Sequence, residues 1–321
     1  MTKLFAVLLA CVALGRAPLA AQDWPTRTVK IVVPFGPGTT PDAVARLLAD
    51  GLQQKVPGST FIVENKPGAS GNTGTEAVAK AEPDGATIGV SIGGPLAINT
   101  ILFSKLRYNP STDITAVTQL VTQPSVLVVN AALNVNNVGE LIELLKKAPD
   151  KYIYGSIGVG SLSHLAMEAL AQKAGVKLVH LPLQGSPAAM TALLRNDVQI
   201  ACLPAIAVTP QMQSGQLKVL AVSTAKRSPF LADIPTLKEA GVDVEADAWM
   251  GLIAPAGLPP AVLEKLHKLT IDVLASSAMR EKLAAQQMEP IGNSPVQFRA
   301  LIDSEIGRWE PVIKSANVKI N

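Results

Sequence analysis

Cysteine is nearly missing from this chain of 321 residues, which carries only Cys11 and Cys202. Cys11 falls inside an apolar N-terminal leader. A processed chain therefore keeps one thiol and no intramolecular disulfide, even in an oxidising compartment. Stability has to come from a core. Aromatic residues are scarce at 4%, and no basic cluster accompanies them, so no nucleic-acid platform is expected. The three histidines, His164, His180 and His267, are scattered without metal-ligand spacing. No metal and no cofactor are expected. A Gly-x-Ser-x-Gly elbow and a Gly-Lys-Ser/Thr phosphate loop are both missing, which removes the usual signatures of a hydrolase and an NTPase. Beyond the leader no apolar run reaches ~18 residues, the length of a membrane-spanning helix.

What is present begins with residues 1–21, which read as a secretory signal. Lys3 supplies the positive start, Leu4 to Leu14 the apolar stretch, and small residues a cleavage site after Ala20 or Ala21. Leu8-Leu9-Ala10-Cys11 weakly resembles a lipoprotein box, but cleavage there would leave a very short apolar region. Removal of the leader takes away Lys3 and Arg16 and no acid, so the net charge falls from +3 to +1. An exported, soluble protein of the bacterial periplasm is the expectation. Its roughly 300 residues can form one large or two medium domains.

Strand-like and helix-like runs alternate along the mature chain. The strand candidates are Val29–Val33, Phe61–Glu64, Thr87–Ser91, Val126–Asn130, Tyr152–Ser156, Leu178–Leu181, Ile200–Leu203, Leu217–Ser223 and Met250–Ala254. The helix candidates are Pro41–Lys55, Gly71–Lys80, Val138–Lys147, Ser163–Ala174, Ser186–Asn196, Pro235–Ala240, Pro260–Ser276, Ala278–Gln287 and Pro295–Ser315. Such alternation predicts α/β units on largely parallel sheets. Val117 to Asn130, broken by Pro124, and Asp247 to Pro255 read as crossings between two lobes. The predicted lobes are residues 23–124 with 249–321, and residues 125–248. A cleft between lobes is a common small-molecule site.

Two loops at helix starts carry the chemistry. In IVVPFGPGTTPDAVARLLADGL, Ile31 to Leu52, a short strand stops at Pro34, Gly36, Pro37 and Gly38. Thr39 and Thr40 are N-cap candidates and Pro41 suits the first helical turn. In YIYGSIGVGSLSHLAMEALAQKAG, Tyr152 to Gly175, the loop has Gly155, Gly158 and Gly160, with Ser161 or Ser163 as cap. Its Gly-x-x-Gly-x-Gly order does not match the dinucleotide fingerprint. Free N–H groups at the positive end of a helix suit a carboxylate or phosphate; an ordinary βα turn is the plain alternative. Asp42 and Arg46, four apart, read as a structural pair.

These stretches, with WPTRTVKIVVPFGPGTTPDAVAR, VENKPGASGNTGTEAVAKAEPDG, YGSIGVGSLSHL, VHLPLQGSPAAMTALL and AWMGLIAPAGLPP, run in the order found in one family. The chain resembles the extracytoplasmic solute receptors of tripartite tricarboxylate transporters, also called Bug proteins. The resemblance implies an α/β, two-lobed periplasmic binding protein of type II-like fold with a ligand cleft between the lobes. It implies an organic carboxylate ligand, aliphatic or aromatic, and handover to the subunits of a membrane permease. Carried over residue by residue, the ligand positions are Phe35, Gly36, Pro37, Gly38 and Thr39 in the first loop, and Ile157, Gly158, Gly160, Ser161 and Ser163 in the second. Thr39 stands where the family commonly has a second Gly. Leu183 and Gln184 stand where it often has Tyr and Lys, so Gln184 enters either as a substitute amide or as a solvated side chain.

Gly93, in the Ser91–Pro95 strand end, and Ala205, after the strand Ile200–Leu203, are further lining candidates; Trp249 is a lid or core candidate. No Arg or Lys lies in either loop, so neutral donors would hold the ligand. Micromolar binding needs about 8 kcal/mol, and four or five hydrogen bonds to a charged group at roughly 1.5–3 kcal/mol each suffice. Ser161, Ser163 and His164 suggest a hydrolase as the rival class, yet sequence neighbours do not place a nucleophile against its base. A third reading is a sensor that presents its ligand to a signalling receptor rather than a permease, with the same binding chemistry; the chain itself is expected to be a monomer.

Overall fold

The computed structural model describes residues 24–25, 28–212 and 214–320. The leader and Cys11 lie outside the described residues. Eleven strands occur among those described: β1 Thr28–Val33, β2 Thr60–Asn65, β3 Thr87–Ile92, β4 Ile114–Gln123, β5 Ser125–Asn130, β6 Ile153–Ser156, β7 Val179–Pro182, β8 Ile200–Pro204, β9 Leu217–Val222, β10 Ala248–Pro255 and β11 Glu289–Pro290. They form two sheets, ordered β11-β4-β10-β3-β1-β2 and β7-β6-β8-β5-β9.

Both sheets are mixed, which corrects the expectation of largely parallel ones. β1 pairs in parallel with β2, from Thr28↔Thr60 to Val33↔Asn65, and with β3. β6 likewise runs parallel to β7 and β8. But β10 is antiparallel to β3 and β4, and β5 is antiparallel to β8 and β9. The reason is visible in burial. Every residue of β5 is buried, and so is nearly all of β10. A strand covered on both faces reads as a continuous apolar run whichever way its neighbours point.

The two apolar stretches that read as crossings do pass between the sheets. β4 ends at Gln123 and β5 begins at Ser125, with Pro124 between them. The chain returns at Ala248, which pairs with Gln123. Ser223 Oγ donates to Ala246 O at 2.9 Å, and Ser223 N–H donates to Ser125 O at 2.9 Å. The outward and return paths thus lie side by side. Pro235–Ala240, expected as a helix, is one turn only. Thr236 caps Glu239, Ala240 N–H reaches Thr236 O, and Gly241 at φ +90° ends it. Gly94–Ile98, running on into the short helix Asn99–Leu102, was not expected because Gly-Gly-Pro reads as a turn; Pro95 instead starts a helix.

The helix Pro295–Ser315 has the bounds read from the sequence, with a Ser294/Gln297 capping box at its start. Phe298 and Ile302 sit in a core with Val32, Leu96, Ile114 and Trp249. Two turns on, Trp309, Val312 and Ile313 enter the core of the second sheet with Leu127, Leu141, Tyr154 and Leu165. One helix is therefore planted in both halves. Gly251 makes room for it, because a Cβ there would lie 1.9 Å from Phe298 Cζ.

Candidate functional site

Each sheet sends a strand into a glycine turn and then a helix, and the two turns have one construction. After β1, Thr39 Oγ1 donates to Gly36 O at 2.7 Å, and Gly38 N–H donates to Asp42 Oδ2 at 2.9 Å. After β6, Ser161 Oγ donates to Gly158 O at 2.6 Å, and Gly160 N–H donates to His164 Nδ1 at 3.0 Å. The shared pattern is Gly-x-Gly-Ser/Thr-x-x-Asp/His. Its second glycine must sit at positive φ, +79° at Gly38 and +72° at Gly160. The residue four positions past that glycine reaches back from the first helical turn to hold its N–H. Helices Thr40–Lys55 and Leu162–Ala174 then begin.

Both helix starts open on a cavity of about 490 Å³ between the sheets. Phe35, Thr40 and Pro41 line it from one side, and Ile157 to Leu162 from the other. Gly93, Gly94, Asn99 and Trp249 form another wall. Among the expected residues, Phe35, Ile157, Gly158, Gly160, Ser161 and Gly93 meet there. Gly36, Pro37, Gly38, Thr39, Ser163, Gln184 and Ala205 do not line it. Thr39, Ser161 and Ser163 were expected to offer hydroxyl protons, but all three protons are committed inside the protein. Ser163 Oγ, for one, donates to Cys202 O at 2.5 Å. Gly38 N–H is likewise taken by Asp42. Gln184 is exposed at the start of the helix Gly185–Leu194, and Ala205 is fully buried, its N–H on Pro124 O. What remains for a ligand is backbone at the helix starts, Thr40 and Leu162, whose first N–H groups have no partner within their own helix.

Sequence reading missed Asp247, Glu305, Gln123, Leu102 and Ile320 on the cavity wall. Glu305 had a signal: it interrupts the apolar stripe Phe298, Ile302, Trp309, Ile313 at a core position of its helix. Asp247 had one too, as the acid at the mouth of a strand otherwise free of charge.

The profile of the family described as "Tripartite tricarboxylate transporter family receptor" matches residues 44–318. The chain belongs to this family. Among its relatives, Protein BugT of Bordetella pertussis is 33% identical over 324 residues, covering 100% of this chain and 99% of that one. Two solved structures are similar. One, described as R. palustris Rpa4515 with adipate, is 35% identical with a TM-score of 0.78, covering 92% of this chain and 99% of that one. The other, MatC (Rpa3494) from Rhodopseudomonas palustris with bound malate, is 31% identical with a TM-score of 0.74, covering 90% and 100%. The tripartite tricarboxylate transporter receptors are binding proteins and not enzymes, and the two-lobed periplasmic binding-protein fold is theirs. No helix among the described residues is long and apolar enough to cross a membrane.

Electrostatics divide the receptor's two turns. Asp42 is buried and accepts from Arg46 Nε and Nη2, Asn65 Nδ2 and Gly38 N–H, each at 2.9 Å. Burial pushes its pKa up, but those hydrogen bonds outweigh it and hold the carboxyl below its usual range. Asn65 also donates to Phe35 O at 2.9 Å, fixing the cavity-lining residue to the same hub. His164 is held differently. Burial lowers its pKa to about 4, and the Gly160 hydrogen bond places the ring proton on Nε2. It stacks on His180 with centroids 3.9 Å apart, and the His180 ring stacks in turn on Tyr154 at 4.8 Å. The helix after the first turn therefore carries an acid at its positive end, and the helix after the second carries none. The second keeps its full pull on an external anion.

Proposed function

We propose that this receptor closes its two lobes on a small organic carboxylate and delivers it to a membrane permease of the tripartite tricarboxylate type. The observation that carries this reading is the shared cavity, onto which two helix N-termini open from opposite sides through turns of one design. The carboxylate sits at the Ser161–Leu162 helix start, where no internal acid competes with it. Its body lies against Phe35, Ile92, Ile157 and Trp249. Adipate and malate in two related structures support a carboxylate as the ligand class. The lobes are residues 23–124 with 249–321 and residues 125–248, and the paired crossings at Pro124 and Asp247 form the hinge. The protein works as a monomer in the periplasm after removal of residues 1–21.

A thermal-shift screen of the mature protein tests the reading, using aliphatic and aromatic mono- and dicarboxylates with their amides as controls. A ligand at 100 times its Kd adds about 2.7 kcal/mol of stability. At least one acid is expected to raise the melting temperature while its amide does not. A panel in which amides shift the protein as far as acids do overturns carboxylate recognition.

A further inference from the structure

One wall of the cavity is acidic, which is unexpected for a site that takes an anion. Asp247 and Glu305 both line it. Glu305 is buried but fully occupied: it accepts from Trp309 Nε1 at 3.0 Å, Trp249 Nε1 at 3.4 Å and Arg308 Nη1. Arg308 spends its other arm on Glu245 Oε1 at 3.1 Å. The guanidinium thus forms its ion pairs with Glu305 and Glu245, and Asp247 feels its charge without pairing with it. Its Oδ1 is shielded from solvent and has no hydrogen-bond partner. A buried polar atom without a partner costs free energy that a ligand group can restore.

We propose that Asp247 receives a nitrogen-bearing, hydrogen-donating group of the ligand, so that the receptor prefers an amino carboxylate over a dicarboxylate of the same length. This rests on the carboxylate reading above and adds the other end of the ligand. A second carboxylate would meet Asp247 and Glu305 at close range, and like charges in a partly desolvated wall repel strongly. An ammonium there completes the charge balance that Arg308 leaves unfinished. Burial, followed by the nearby charges of Glu245 and Glu305, raises the Asp247 pKa to about 7, against the opposing pull of Arg308 and the Ala225 backbone. An approaching ammonium favours the ionised form.

The test is calorimetric titration of the mature protein with ligands of four to six carbons in four series: monocarboxylates, dicarboxylates, α-amino acids and ω-amino acids. The expected result is that one amino series binds at least tenfold more tightly than the dicarboxylates of equal length. Asp247→Asn then weakens that series at least tenfold more than it weakens the monocarboxylates. Dicarboxylates that bind as tightly as amino carboxylates, or an Asp247→Asn variant that keeps the amino preference, overturn the role of Asp247 while leaving carboxylate recognition standing. Binding by none of the four series, together with no shift by any aromatic acid in the thermal screen, overturns both readings. Should Asp247→Asn not melt cooperatively, the wild-type protein decides through pH. The amino preference grows from pH 5.5 to 8.5 as Asp247 ionises, and a flat or falling preference refutes the proposal.

Discussion

The turn after β1 and the turn after β6 share a backbone and differ in what locks it. In the first the lock is a carboxylate, Asp42, backed four residues later by Arg46. In the second it is a neutral imidazole, His164, with Glu168 Oε1 3.7 Å from its Nε2 four residues later. The geometry requires an acceptor at this position and accepts either chemistry. The choice has an electrical consequence. An ionised lock consumes part of the helix-end potential, and a neutral one leaves it for the ligand.

The comparison breaks most visibly at Asp42. Asp42→Ala removes an acceptor shared by Gly38, Arg46 and Asn65 and is expected to destabilise the protein by about 3 kcal/mol in urea unfolding. A loss under 1 kcal/mol would show that the first turn holds without its lock. The second turn is expected to fail first in acid. The folded His164 pKa lies at about 4, below the unfolded value of 6.5. The unfolded chain therefore takes up the proton first, and the contribution of the neutral ring is present above pH 6.5 and lost as pH falls toward 4. It amounts to about 2–3 kcal/mol. Hydrogen exchange should show Gly160 losing protection between pH 6.5 and 4 while Gly38 keeps its own; loss of both together would deny the distinction. The smallest effect separates the glycines. Gly160→Ala meets Leu102 Cδ1 at 2.6 Å, whereas a Cβ at Gly38 meets nothing within 4 Å. Both suffer the left-handed backbone penalty, so about 2 kcal/mol is expected for Gly160→Ala and about 1 for Gly38→Ala. Equal melting temperatures for the two variants would argue against the close approach of Gly160 to Leu102.

Much of this was legible in the residues, and the limits have physical causes. Periodicity and a capping box gave the helix Pro295–Ser315 its bounds, and the Gly-Pro punctuation placed both turns. Composition could not give the direction of β5 and β10, because full burial erases the alternation that marks a half-exposed strand. Nor could it show where the loop hydroxyls point. Thr39, Ser161 and Ser163 carry the donor chemistry a carboxylate needs, yet each finds a nearer backbone carbonyl. The equivalence of Asp42 and His164 was hidden because side-chain chemistry differs where geometry agrees. The acids of the cavity come from distant segments, 247 and 305, which only the fold brings together.

The helix planted in both cores has a consequence for how the molecule comes apart. Melting the first half exposes Phe298 and Ile302, and melting the second exposes Trp309 and Ile313, yet all four belong to one helix, whose backbone ladder lacks a donor at Pro311. Neither half can lose its core without fraying the rod that the other half still needs. Unfolding is thereby coupled between the two sheets, so a ligand that bridges the cavity protects residues far beyond those it touches.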